Sequence, residues 1–224
     1  MKERILWIVP SRNRPEKLER FLNSWLATTE GLADMLIALD DDDNSCDHLI
    51  EKFSTVIWEK SPKIEGTSFL AIVNRIAMQH VDEYKYLGFN EDDCIFHTSN
   101  YEDRFIAKMQ ELGKNAIVYG DDMINKKGRI YFPVMDSSIV KRLGYMVPPT
   151  LRCMYADDFW RDMSNHLGSV YRFDDVKIQH LHYTRENGVA DAVSVDVDNS
   201  KSQDSIAYEL YYRTEFKIDM EKLV

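Results

Sequence analysis

Nowhere in its 224 residues does the chain hold an apolar run of the roughly 18 residues that a membrane-spanning helix needs, so no membrane span is expected. The N-terminus, Met1-Lys2-Glu3-Arg4, enters a short apolar run without a small-residue cleavage site, and no signal peptide is expected. Cysteine is scarce. Cys46, Cys94 and Cys153 are odd in number and far apart, without metal-type or redox-type spacing, which suits a reducing cytoplasm. Positive charge is also short, with 28 Lys and Arg against 38 Asp and Glu and a formal net charge of −10. That balance argues against wholesale binding of a phosphate backbone, although it leaves room for a local basic cleft and suits a site that holds a divalent cation. No repeat and no low-complexity linker divides the chain. With 44% hydrophobic and 12% aromatic residues, it is expected to fold as one domain spanning 1–224.

What is present is a regular alternation of strands and helices. Arg4 to Val9 is an apolar run of buried-strand length, and Pro15 then suits the first turn of a helix whose Leu18, Phe21, Leu22, Trp25 and Leu26 share one face. Met35 to Leu39, Thr55 to Trp58, Lys85 to Phe89 and Ala116 to Tyr119 are further strands. Leu70, Val73, Asn74 and Ala77, in a run from Thr67, follow helical spacing, as do Phe105, Ile106, Met109 and Leu112. The rhythm predicts an α/β fold, a mostly parallel central sheet with helices on both faces. The stretch 185–205, rich in Asp, Asn, Ser and Gly, is a candidate mobile lid, and 206–224 reads as a C-terminal helix packed back on the body.

In sheets of this kind ligands bind beyond the carboxyl ends of the strands. Four polar clusters fall there: PSRNRP after the first strand, DDDD after the second, NEDD after the fourth and YGDD after the fifth. Any one of them reads as a solvated turn, because Asp and Asn favour turns. Turn chemistry explains the shared acidic excess poorly. Burying even one unpaired carboxylate costs several kcal/mol, so Glu91, Asp92 and Asp93 sit either in water or around a cation.

The ordered series VPSRNRPEKL, IALDDDDN, YLGFNEDDCIF, YADDFWRDM and IQHLHY resembles the nucleotide-sugar glycosyltransferases of the GT-A fold, a Rossmann-like architecture, near their family-two-like members and in particular the small ones encoded by bacteriophages. The resemblance runs from the first strand to His182 and implies transfer of a sugar from a nucleotide-diphosphate donor, a UDP-sugar first, to an acceptor hydroxyl. It further implies a divalent cation, Mn²⁺ or Mg²⁺, gripped by a DxD-type motif after the fourth strand. Such cations take carboxylate and phosphate oxygens. Asp93 is the first choice as ligand, Asp92 as ligand or sugar contact, and Glu91 third. Asn90 to Asp93 permit two registers, Glu91 with Asp93 or Asn90 with Asp92.

Period two places Val176, Ile178, His180 and His182 on one strand face. By resemblance one of the histidines adds to the metal site, His182 ahead of His180; otherwise one of them is a hydrogen-bonded structural histidine. The resemblance also puts Pro10, Ser11 and Arg12 around the nucleoside, Asp40 on base or ribose, Arg14 at the pyrophosphate or at a helix start, and Asn74 at the donor. It assigns the base of an inverting reaction to the acidic pair that opens a helix, Asp157 first and Asp158 second. One of the pair can instead cap the helix. Asp121 or Asp122, and the segment PVMDSS at 133–138, are expected to border the acceptor, which is a glycan, a small molecule or a modified DNA base. Residues 42 and 43 read as solvated loop acids or turn formers. Host cytoplasm is the expected location if the chain is viral.

Two alternatives remain open on the sequence. A nucleotidyltransferase shares sheet and metal but would carry a glycine-rich phosphate loop, and PSRNRPEK has no glycine. A catalytically inactive sugar-nucleotide-binding relative would keep the binding residues without turnover.

Overall fold

A computed structural model describes residues 1–62, 69–124, 128–182 and 190–224. In chain order the elements are β1 (Lys2–Ser11), α1 (Pro15–Leu26), β2 (Ala33–Asp40), α2 (Asp47–Lys52), β3 (Ile57–Ser61), α3 (Phe69–His80), β4 (Tyr84–Phe89), β5 (Cys94–Phe96), α4 (Tyr101–Leu112), β6 (Ile117–Asp121), β7 (Val134–Asp136), α5 (Ser137–Leu143), α6 (Ala156–Leu167), β8 (Val170–His180), α7 (Ala192–Thr214) and α8 (Phe216–Glu221). The sheet order is β3-β2-β1-β4-β7-β6-β8-β5.

The expected parallel sheet holds on one side, where β3, β2, β1 and β4 run parallel. Its other half is mixed. β7 is antiparallel to both β4 and β6, β8 is parallel to β6, and β5 is antiparallel to β8. Because two reversals cancel, β6 points the same way as β4, and the ends of β1, β2, β4 and β6 share one edge.

The elements differ from the expected ones in some places, and some expectations fall outside the described residues. The third strand starts at Ile57, not Thr55, and continues to Ser61. Two strands of three residues each, β5 and β7, escaped the sequence reading because so short a run has no measurable period. In the PVMDSS segment, expected to border the acceptor, Val134 and Met135 are buried inside the sheet, and Asp136 caps α5 by accepting from the Ser138 N–H at 2.9 Å. The helix expected from Thr67 is described from Phe69, since Thr67 lies outside the described residues. Of the candidate lid, 185–189 also lie outside them, while Ala192 onwards is the first half of α7, continuous with the tail helix expected from 206.

Two glycines show how tightly the sheet is built. A Cβ on Gly88 of β4 would sit 2.6 Å from the Trp7 ring of β1, which is itself packed by Phe96 and Tyr101. At Gly120 a Cβ would meet the Val176 carbonyl at 2.7 Å, where β8 shifts register against β6. That bulge carries the end of β8 over the site edge.

Candidate functional site

The carboxyl edge gathers the polar clusters into direct contact. Pro10 pairs with Ala38 near the end of β1, and Ser11 Oγ donates to Asp92 Oδ2 at 2.7 Å. Arg12 ties β1 to the end of β2 by binding both Asp40, at 2.5 Å, and Asp42. Asp43 is not a solvated acid: it is 2% exposed and accepts from the backbone N–H groups of Asn13 and Ser45. As a turn former it braces the loop after β1.

At the end of β4 the acidic run splits by side. Asp92 turns inward, where Ser11 and Arg14 Nη1, at 3.0 Å, hold it. Burial raises its pKa to about 6, against the pull of Arg14. Glu91 and Asp93 turn together toward β8 and meet His180, with one ligand atom from each within 4.8 Å of the others. His180 Nε2 lies 3.2 Å from Glu91 Oε2 and 3.4 Å from Asp93 Oδ1. The structure therefore groups the Glu91/Asp93 register, with His180 in the place expected first of His182.

The backbone explains why. The His180 N–H donates to the Asp122 carbonyl at 3.1 Å and the Leu181 N–H to the Asp93 carbonyl at 2.9 Å, which pins the end of β8 between the YGDD and NEDD turns. His182 lies past the strand, its ring 5.2 Å from that of His180, outside the three-residue cluster found among the described residues.

This cluster fits a divalent cation on two counts. Asp93 Oδ1 is shut off from solvent facing the His180 ring nitrogen at 3.4 Å, and Nδ2 of neighbouring Asn90 is buried without a hydrogen-bond partner. Two carboxylates with an imidazole are also a common donor set for Mn²⁺, whereas Mg²⁺ prefers oxygen alone. Burial would lower the His180 pKa, but hydrogen bonds to Asp93 and Glu91 overcome it and raise it to about 10. In the free protein a proton thus holds the carboxylates together where a cation would otherwise do so. Burial and the charge of His180 push His182 down.

Arg14 is nearly buried and reaches three elements. Besides Asp92 it binds Asp191 through Nε at 2.9 Å and Nη2 at 2.8 Å, and Lys17 reaches the same carboxylate at 2.7 Å. Asp191 also caps α7 through the Ser194 N–H. Asn74 is occupied by backbone: its amide donates to the Val147 carbonyl and accepts from the N–H groups of Met146 and Val147. It clamps the turn at 146–147, which accounts for a polar residue on the apolar stripe of α3 without any donor.

The acidic pair opens α6 as expected, and the two residues separate. Asp158 is held by Arg161. Asp157 Oδ2 is buried without a hydrogen-bond partner, 3.3 Å from Arg129 Nη1. Burial and then the charge of Asp158 raise the Asp157 pKa, while Arg129 and a hydrogen bond with Tyr131 oppose the rise. The Tyr131 ring in turn packs 5.9 Å from His180, so it links the two groups of acids. Asp121 is bound by Arg172 at 2.9 Å and by Lys177, and Asp122 is buried below the end of β8.

Sequence reasoning missed Lys17, Arg129, Tyr131 and Asp191. Lys17 had a signal, one helical turn beyond Arg14. The others come from distant parts of the chain and carried none.

No family profile matches the sequence, and no curated protein matches it. Solved structures do match in fold. The mannosyltransferase PcManGT from Pyrobaculum calidifontis, solved with GDP-Man and Mn²⁺, aligns over 98% of this chain and 68% of its own, with TM-score 0.63 at 10% identity. TarS 1–349 from S. aureus aligns over 95% and 73%, with TM-score 0.61 at 12% identity. Its complex with UDP-GlcNAc aligns over 78% and 57%, with TM-score 0.60 at 13% identity. This chain spans 36% of the longer S. aureus TarS chain. The shared fold is GT-A, a curled mixed sheet with helices on both faces.

Proposed function

We propose that the protein is a metal-dependent glycosyltransferase that moves a sugar from a nucleotide-diphosphate donor, a UDP-sugar first, to an acceptor hydroxyl with inversion. The convergence of three ligand types carries the reading. At the end of β4, on a GT-A fold, one ligand atom each from Glu91, Asp93 and His180 converge within 4.8 Å of one another. Mn²⁺, with Mg²⁺ as second choice, would be held by these three residues and would neutralise charge on the donor diphosphate. The neighbours bound to UDP-GlcNAc and to GDP-Man with Mn²⁺ support a donor of this class.

The chain's own residues divide the remaining work. Pro10, Ser11, Arg12 and Asp40 form the wall beside the nucleoside, and Arg14 with Lys17 supplies positive charge toward the diphosphate. Asp92 fixes Arg14 and Ser11. Asp157 takes the proton of the acceptor hydroxyl, which suits a buried carboxylate with a raised pKa. Asp191, at the start of α7, holds Arg14 at this edge. Cys46, Cys94 and Cys153 form no disulfide among the described residues, which suits a cytoplasmic setting.

A thermal-shift panel of UDP- and GDP-sugars, each with and without Mn²⁺, tests this. Ligand at a hundred times its Kd stabilises the fold by about 2.7 kcal/mol, so a true donor stands out. The Mn²⁺-dependent part of that shift is expected to vanish in Asp93→Ala. An unchanged shift in that variant would remove the metal assignment.

A further inference from the structure

We propose that the acceptor is a neutral saccharide, gripped between α6 and α7 by Tyr155, Tyr208 and Tyr212; this rests on the transferase reading above. An open cavity of about 350 Å³ lies there. That is the lower end of the size range for small-molecule sites, roughly 300–1,000 Å³.

The lining has the chemistry that a pyranose needs. The Tyr155 and Tyr208 rings stack at 5.7 Å, and Tyr212 stands 6.2 Å from Tyr208. Tyr212 is half exposed yet backed by Phe216, whose ring stacks on it at 4.8 Å. A ring braced on one side loses little freedom when its other face meets the C–H face of a sugar. Asp162 and Glu209 line the same cavity and offer acceptor oxygens to hydroxyl groups. Tyr208 Oη donates to Asp162 at 2.7 Å and so fixes that carboxylate.

Charge selects among acceptors. The lining carries two carboxylates, Asp162 and Glu209, against one cation, Arg213, and so is net negative. A phosphodiester would meet a net negative lining, whereas binding to nucleic acid is dominated by Lys and Arg on phosphate. A neutral polyol meets no such penalty.

The cavity is also coupled to the proposed base. Tyr155 holds φ 68°, a left-handed conformation that is strained for so bulky a residue. It precedes α6 directly, so this turn presents Tyr155 to the cavity and Asp157, two residues on, to Arg129 and Tyr131. The loop is held in place by buried Asp204 of α7, which accepts from the backbone N–H groups of Arg152, Cys153 and Met154 at 2.8–3.0 Å. Such over-determination is what lets a strained residue persist.

The test is an array of neutral glycans, phosphorylated glycans and short oligonucleotides, probed with the labelled full chain in the presence of UDP and Mn²⁺. Neutral glycans are expected to capture it. Tyr212→Ala should weaken that capture roughly tenfold or more, while Tyr212→Phe retains it because the ring remains. The thermal shift with UDP and Mn²⁺ should be the same in all three proteins. Capture by phosphorylated glycans or oligonucleotides alone, capture that Tyr212→Ala leaves intact, or no neutral glycan captured would each overturn the inference. Failure of the wild-type chain to shift with any nucleotide would instead count against the transferase reading, so the two failures are distinguishable.

Discussion

At the scale of single residues, partners sort carboxylates that look equivalent in the chain. Asp157 and Asp158 are adjacent and equally exposed, yet Asp158 is tied to Arg161 while Asp157 Oδ2 is shut off from solvent 3.3 Å from Arg129. A general base works only when ionised, so activity falls as pH drops through its pKa. Because burial raises the Asp157 pKa, the acid limb of kcat/KM for donor hydrolysis is expected above the ordinary Asp value of about 3.9. Arg129 holds that pKa down, so Arg129→Ala should move the limb to still higher pH. Asp157→Asn should keep donor affinity while losing roughly 10²–10⁴-fold in turnover. A limb that stays in place in Arg129→Ala would mean that another group is titrating.

At the scale of elements, the start of α7 is fastened to the site rather than to the core. Asp191 receives Arg14 and Lys17 and caps its own helix through Ser194. Loss of such a cap costs about 1 kcal/mol before the ion pairs are counted. Asp191→Ala is therefore expected to speed hydrogen exchange over 192–200 while leaving β1, β2 and β4 protected, because local opening need not involve the sheet. Unchanged exchange at the start of α7 would show that the fastening is made elsewhere, for instance by Asp204 on the loop at 152–154.

At the scale of the molecule, the acidic excess becomes a stability term with a definite sign. Burial would raise Asp34, Asp43, Asp191 and Asp219, but Arg4, the Asn13 N–H, Arg14 and Lys222 respectively lead the groups that lower them. A carboxylate whose pKa is depressed by folding adds stability above its unfolded value of about 3.9 and loses it as pH falls through the folded one. Asp92 and His180, whose pKa values folding raises to about 6 and about 10, favour the fold as pH falls from neutral to about 5, and the depressed carboxylates make thermal stability decline below about 4. A midpoint that rises on acidification below that point would contradict the sign. Among the described residues no helix is long and apolar enough to cross a membrane.

What the sequence by itself determined is local and periodic. Strands β1, β2 and β4, the apolar faces of α1 and α4, and four polar strand ends on one edge are written in spacings of two and of three to four. The Glu91-to-Asp93 run and the Asp157–Asp158 pair could be picked out as candidates because several acids in a row are costly without a partner. Their division of labour was decided by tertiary structure. Which of His180 and His182 meets Glu91 and Asp93 depends on two backbone hydrogen bonds from β8 to turns more than fifty residues earlier. That Asp92 turns inward depends on Arg14, and that Arg14 also holds Asp191 depends on where α7 docks. Likewise β7 pairs between β4 and β6 through partners far away in sequence, which a three-residue run cannot announce. Periodicity reports which face of an element avoids water, whereas a charge finds its partner only after the chain has brought distant segments together.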